Sequence, residues 1–178
     1  MPGEDTPTQH KKNAPAIVRF AIITVSTSRY KTYGSVSTPG QADDISGGVM
    51  MDLISGSGFE VKTYSLLPDD KTLITRQVKE LISAHIDAIV ISGGTGLSIE
   101  DVTLEAVEPL FDKHIPGFGE LFRLKSLDDV GTASMLSRAS AGIVDRCVVF
   151  CLPGSPAAVE LALKELIIPE AAHMVKHV

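Results

Sequence analysis

The chain has 178 residues, 44% hydrophobic and 21% charged, which is enough for one domain with a buried core and too little for a second catalytic domain. Its 16 Lys and Arg face 22 Asp and Glu, and the formal net charge of -6, with no basic stripe to offset it, argues against a general nucleic-acid binder. No apolar run approaches the roughly 20 residues that span a bilayer, and the N-terminus lacks the apolar stretch of a secretory signal, so a soluble, cytoplasmic protein with no membrane partner is expected.

Residues 1–16, rich in Pro, Thr, Lys and Asn, show no periodicity and read as a flexible tail, which leaves one folded domain over 17–178. Ile17 to Val25 reads as a buried strand. The stretch from Ser26 to Ala42 is long for a connection, and its Ser, Thr, Gly and Pro content disfavours regular structure, so it is either mobile or functional. It opens with Ser26-Thr27-Ser28-Arg29, three hydroxyls and a guanidinium suited to phosphate or polar ring edges; a solvated loop is the plainer alternative.

Asp43 to Ser55 reads as a helix, with Ile45, Val49 and Leu53 recurring every fourth residue, and Phe59 to Leu66 as the next strand. Leu66-Leu67-Pro68-Asp69-Asp70 then turns into a helix over Lys71 to Ala84, whose Leu73, Ile74, Val78, Leu81 and Ile82 share one side; either aspartate would serve as its cap.

The strand Ala88-Ile89-Val90-Ile91 runs into Ser92-Gly93-Gly94-Thr95-Gly96, and a helix carrying Asp101 and Thr103 is expected soon after. Glycines let backbone N–H groups close on an anion, and a helix start would add its positive end, beside a carboxylate. The loop is neither a spaced-glycine dinucleotide fingerprint nor a Walker A loop, since position 97 is Leu and no lysine follows nearby. The competing explanation is a tight strand-to-helix turn with Ser98 as N-cap and Asp101 closing a capping box.

Further on, Gly117 to Leu127 reads as a helix packed by Phe118, Leu121 and Phe122. Ala141 to Val144 and Cys147 to Leu152 read as strands of a hairpin turning at Asp145-Arg146, and Ala157 to Ile167 as an apolar helix. Cys147 and Cys151 would lie about 13 Å apart along a strand, too far to bridge, and are expected to pack in the core. Leu161, Leu163, Leu166, Ile167 and Ile168 form a broad apolar end that suggests an oligomer. The five histidines are unclustered and offer no metal site.

Strands alternating with helices predict an α/β fold: a mostly parallel sheet covered by helices, an antiparallel hairpin, and ligand groups at the carboxyl ends of the strands. Such a sheet would bring Ser26 to Arg29, Asp69, Ser92 to Asp101 and Pro153 to Ser155 to one rim, although Ser155 before Pro156 is by itself an ordinary N-cap.

The motifs Ser26-Thr27-Ser28-Arg29-Tyr30, Asp44-Ile45-Ser46-Gly47, Pro68-Asp69, Gly93-Gly94-Thr95-Gly96 with Asp101-Val102-Thr103, Pro116-Gly117-Phe118-Gly119-Glu120 with Arg123, Leu136-Ser137-Arg138 and Leu152-Pro153-Gly154-Ser155 stand in the order seen in the molybdenum cofactor biosynthesis family of MoaB and MogA. The chain resembles that family, to which a domain of gephyrin also belongs, over about residues 17–175. The opening motif and Glu120-x-x-Arg123-x-x-Ser126 resemble the MoaB branch, its archaeal members in particular.

The resemblance implies a three-layer α/β/α sandwich, assembled as a trimer or hexamer, that transfers AMP from ATP to the terminal phosphate of molybdopterin with magnesium and releases pyrophosphate. It places the family's two important carboxylates at Asp69 and Asp101, the latter also the expected magnesium holder. Pterin and nucleotide contacts fall on Thr27, Ser28, Asp44, Ser46, Ser92, Gly93, Gly94, Thr95, Gly96, Thr103, Glu120, Arg123, Ser137, Pro153, Gly154 and Ser155. Glu120 and Arg123 either pair with each other or reach the pterin edge. Many family members have Arg before the matched Asp, where this chain has Glu100, which exchanges phosphate attraction for repulsion. That departure keeps open a molybdopterin-binding carrier with little catalysis; a nucleotide pyrophosphatase resembling the related domain of competence-damage proteins is the other alternative.

Overall fold

A computed structural model describes residues 17–178; the tail read over residues 1–16 lies outside the described residues. Six strands form one sheet: β1 Arg19–Val25, β2 Glu60–Leu67, β3 Ala88–Ser92, β4 Lys113–His114, β5 Ser140–Val144 and β6 Cys147–Leu152. Their spatial order is β2-β1-β3-β6-β5-β4, with β2, β1, β3 and β6 parallel and β5 antiparallel to both its neighbours. The fold is the expected α/β sandwich, and the hairpin turns at Asp145, which adopts φ 56°.

The helices, in chain order, are α1 Thr27–Tyr33, α2 Ile45–Gly56, α3 Lys71–Ser83, α4 Thr103–Val107, α5 Pro116–Val130, α6 Pro156–Ala162 and α7 Ile168–Lys176. Alternation along β1 sends Phe20 and Ile22 to one face and Ala21 and Ile23 to the other, where each meets a separate apolar core. On the first face Met50 and Ile54 of α2, Phe118 and Phe122 of α5 and Val159 of α6 cover the sheet; on the second, Ile74, Val78 and Leu81 of α3 and Leu104 of α4 do so. Strands buried on both sides must be apolar throughout, which is why β3 and β6 read as continuous runs.

Four local expectations need correction. The stretch from Ser26 to Ala42 contains α1 and a 3-10 turn over Pro39–Ala42. Ser26 caps α1 by accepting from the Arg29 amide, and the Arg29 guanidinium donates to the carbonyls of Ala42 and Asp43, so this guanidinium ties the segment down. Asp101 precedes any helix: the helix begins at Thr103, and Ser98 and Asp101 instead close a turn in which the Ser98 amide donates to Asp101 Oδ2 at 3.1 Å.

The apolar end around Leu161 to Ile168 is not a free surface, because Leu163 and Ile167 are fully buried and Leu161, Leu166 and Ile168 pack against the first core. That helix continues through a π turn over Leu163–Ile167 into α7; Pro169, which has no N–H to return to the Glu165 carbonyl, follows the turn. Leu121 is 48% exposed and packs little, whereas Phe118 packs at a tilt against Phe150 with centroids 5.3 Å apart, as expected of the core side of α5.

No helix among the described residues is long and apolar enough to cross a membrane. Cys147 and Cys151 are free and buried in the second core. Burial pushes the Cys147 thiol up to about 12 and raises that of Cys151 as well. Neither thiol should react with a chromogenic disulfide reagent at pH 8 in the native protein, and both should react at once in denaturant; rapid labelling of the folded chain would contradict this packing.

Candidate functional site

Register places Thr24, Ser92 and Leu152 side by side at the carboxyl ends of β1, β3 and β6, so all three strands release their chains at one rim. There Gly93 donates its amide to the Leu152 carbonyl at 3.0 Å, and Gly93 and Gly94 take φ values of 96° and 64°. A Cβ on Gly93 would run into the Val25 carbonyl, and one on Gly94 into Thr103 Oγ1 and Asp69 Oδ1. Only glycine fits at either position.

Three successive carbonyls of the loop are held by other parts of the chain. Gly93 O accepts from Thr103 Oγ1 at 2.8 Å, Gly94 O from the Thr103 amide at 2.9 Å, and Thr95 O from Arg138 Nε at 3.0 Å. In a trans peptide the carbonyl and the following N–H point in opposite directions, so these bonds turn the amides of Gly94, Thr95 and Gly96 the other way. None of the three donates to a group among the described residues. Successive free amides of this kind form an anion nest, and the loop lines a cavity of about 300 Å³ together with Asp101, Leu136, Ser137, Arg138, Pro153 and Gly154.

The two carboxylates flank this nest. Asp69 Oδ2 accepts from the Thr27 amide at 3.1 Å and its hydroxyl at 2.7 Å, while the same hydroxyl accepts from the Asp69 amide at 2.9 Å. This reciprocal pair leaves Oδ1 beside Gly94. Asp70, its neighbour, caps α3. Asp101 lies against Gly96, with Oδ2 engaged by Ser98 and the other oxygen carrying no bond among the described residues. The Glu100 side chain is exposed.

A second cavity, of about 540 Å³, adjoins the first through Ser137 and Arg138 and is lined by Glu120, Arg123, His114 and Ser140 among others. Glu120 and Arg123 form no ion pair with each other; Arg123 donates to the Ser137 carbonyl at 3.4 Å. Together the two cavities make an elongated site, bordered by free backbone amides at one end and by hydrogen-bonding side chains at the other.

Other expected residues stand behind this surface. Asp44 is buried, its Oδ2 taking bonds of 2.7 Å from both Thr24 and Tyr64; burial and this bond raise the Tyr64 hydroxyl's pKa. Ser46 donates to the Gly154 carbonyl at 2.8 Å, and Thr103 is fully buried beneath the loop. The Ser92 hydroxyl is buried with no partner among the described residues. Ser155 caps α6 by accepting from Ala158, and Ser28 is exposed on α1. Thr24, Tyr64, Glu105 and Arg138 complete the arrangement; no sequence pattern marks the first three, and Arg138 stands only within the Leu136-Ser137-Arg138 motif.

No group of three or more His, Cys, Asp or Glu among the described residues forms a metal cage. Magnesium seldom uses one: it keeps several waters and binds through one or two carboxylates plus substrate phosphates, and the unbonded oxygen of Asp101 beside three free amides fits that pattern.

A family profile described as "Probable molybdopterin binding domain" matches residues 21–173. Molybdenum cofactor biosynthesis protein B of Bacillus subtilis is 41% identical over 172 residues, covering 96% of this chain and 95% of the relative. Its Bacillus cereus counterpart is 43% identical over 171 residues, covering 94% of each. The crystal structure of the tungsten cofactor synthesizing protein MoaB from Pyrococcus furiosus superposes with a TM-score of 0.81 at 40% identity, over 92% of this chain and 98% of that one.

Because one hydroxyl serves both the carboxylate and the amide of Asp69, Thr27→Val should destabilise the protein by about 1–3 kcal/mol in chemical denaturation. Thr27→Ser, which keeps the hydroxyl, should stay within about 1 kcal/mol of wild type. Equal stability of the Val and Ser variants would show that the pair contributes nothing.

Proposed function

The chain belongs to the MoaB/MogA family of molybdenum cofactor biosynthesis proteins, and on that footing we propose that it is a molybdopterin adenylyltransferase, moving AMP from ATP to the terminal phosphate of molybdopterin and releasing pyrophosphate. The observation that carries the reading is the nest of three free amides set between Asp69 and Asp101 and opening at Ser137 onto a second, polar-walled cavity.

In the proposed step an oxygen of the pterin's phosphate bonds to the α-phosphorus of ATP. The bond from that phosphorus to the bridging oxygen breaks, and its electron pair leaves with pyrophosphate. A phosphate monoester loses its second proton at a pH of roughly 6, so the nucleophile is already deprotonated at neutral pH and no side chain need act as base. The difficulty is the approach of two anions. The amides of Gly94, Thr95 and Gly96 meet this by holding phosphate oxygens, and the site fixes both partners in line. Magnesium, when bound, supplies charge neutralisation between the phosphates, with Asp101 its protein holder. Asp69, locked by Thr27, orders the attacking side through Oδ1. Glu120 and Arg123 offer an acceptor and a donor fork to a pterin edge.

We also propose a homo-oligomer, a trimer or hexamer. Its support lies on α5 and the turn after it, where Leu121, Leu124, Leu127, Val130, Met135 and Leu136 are between 46% and 75% exposed. Exposed apolar side chains gathered on one helix and the turn that follows it are the kind of surface an interface covers.

Incubation with molybdopterin, ATP and magnesium should yield adenylylated molybdopterin by mass spectrometry, with pyrophosphate as paired product. Asp69→Asn and Asp101→Asn, which keep size and lose charge, should each lower turnover about 100-fold or more with fold and assembly retained. Tight pterin binding without transfer would replace this reading with the carrier, and AMP formed from a dinucleotide would replace it with the hydrolase. In light scattering, Leu121→Glu with Leu124→Glu should reduce the particle to a monomer; an unchanged mass would remove α5 from the interface.

A further inference from the structure

We infer that Arg138, held by Glu105, is a positioning residue that aims the Gly96 amide into the phosphate nest, a role that rests on the reading of that nest as the transferase's phosphate site. The loop's other two carbonyls are held by Thr103, the first residue of α4, so their orientation is set by a helix. The Thr95 carbonyl has no such support. Its partner is a side chain from the irregular stretch before β5, reaching back 43 residues.

That difference matters because Gly96 follows. A peptide unit can turn over by changing ψ of the residue before it and φ of the residue after it, and glycine removes most of the steric resistance to the second change. Reversed, the unit would present the Thr95 carbonyl where its amide had been, replacing a donor with an acceptor that repels phosphate. The Nε bond of 3.0 Å opposes this reversal.

The guanidinium is itself fixed. Nη1 donates to Glu105 Oε1 at 2.6 Å and Nη2 approaches Glu105 Oε2 at 3.5 Å, while Nη2 also reaches the Asp101 carbonyl at 3.4 Å. One planar fork thus registers the loop, the Asp101 turn and α4 together. A lysine in its place keeps the charge but has a single nitrogen, which cannot span these acceptors in one geometry.

Glu105 separates this role from simple charge attraction. If Arg138 served only as a nearby cation, Glu105→Gln would remove an opposing anion and tighten phosphate binding. If Arg138 is a brace that Glu105 holds, the same change loosens the brace and weakens binding.

The test titrates magnesium pyrophosphate calorimetrically into wild type, Arg138→Lys and Glu105→Gln, and follows the backbone amides of Gly94, Thr95 and Gly96 by NMR in the free proteins. Arg138→Lys should weaken pyrophosphate about tenfold or more, Glu105→Gln should weaken it less, and the Gly96 amide should shift and exchange faster while Gly94 and Thr95 stay as in wild type. Wild-type affinity in Arg138→Lys, tighter binding in Glu105→Gln, or equal disturbance of all three amides would each overturn the inference. Should Arg138→Lys not fold, Glu105→Gln still decides by the sign of its effect. A wild type that makes no adenylylated pterin defeats the transferase reading alone, because the amide spectrum of the free protein reports the orientation of Gly96 regardless.

Discussion

The tightest constraint on the functional rim is the approach of Gly93 to the last carbonyl of β1. The strand beside it, β3, ends level with β1 because the two are parallel and in register from Phe20↔Ala88 to Thr24↔Ser92. The chain must then turn within one residue of a neighbouring backbone, in a conformation that L side chains rarely adopt. Everything that gives the rim its chemistry follows from that turn. It brings Gly94 beside Asp69, lays the loop across Thr103, and lets Gly154 approach Gly93 from the neighbouring end of β6.

Around this fixed turn the polar groups form two tiers. The groups nearest the cavity are the free backbone amides and Asp101, with Asp69 beside Gly94, and each carboxylate keeps one oxygen without a hydrogen bond among the described residues. Behind them, hydrogen bonds are closed on themselves: Thr24 and Tyr64 on Asp44, Ser46 on Gly154, Thr103 on Gly93. Buried hydroxyls and carboxylates left unpaired are costly, about 1–3 kcal/mol each, so this second tier stabilises the fold as it orients the first. Ser92 is the exception, a buried hydroxyl with no partner among the described residues.

Much of this was legible in sequence, for identifiable reasons. Continuous apolar runs located β1, β3 and β6, and their parallel arrangement put the loop after each at one rim. Helix α1 has no sequence signal because Thr-Ser-Arg-Tyr-Lys-Thr-Tyr has no apolar period; it is held by its cap and by hydrogen bonds from Arg29 and Tyr33 to Asp43. Ser98 and Asp101 have the spacing of a capping box, yet the same spacing closes a turn, and only the backbone distinguishes them. The partnership of Arg138 with Glu105 spans 33 residues between an irregular stretch and a short helix, and no local pattern announces it.

The sheet's two margins differ in kind. On one side β4 contributes only two residues, too little backbone to template another strand; on the other, β2 is eight residues long but carries Glu60 and Lys62 in its exposed half. Short or charged border strands discourage one sheet from continuing into the next copy's. Growth of this fold into open-ended ladders is therefore disfavoured at both borders. The helical faces are left as the better surfaces for any contact between copies.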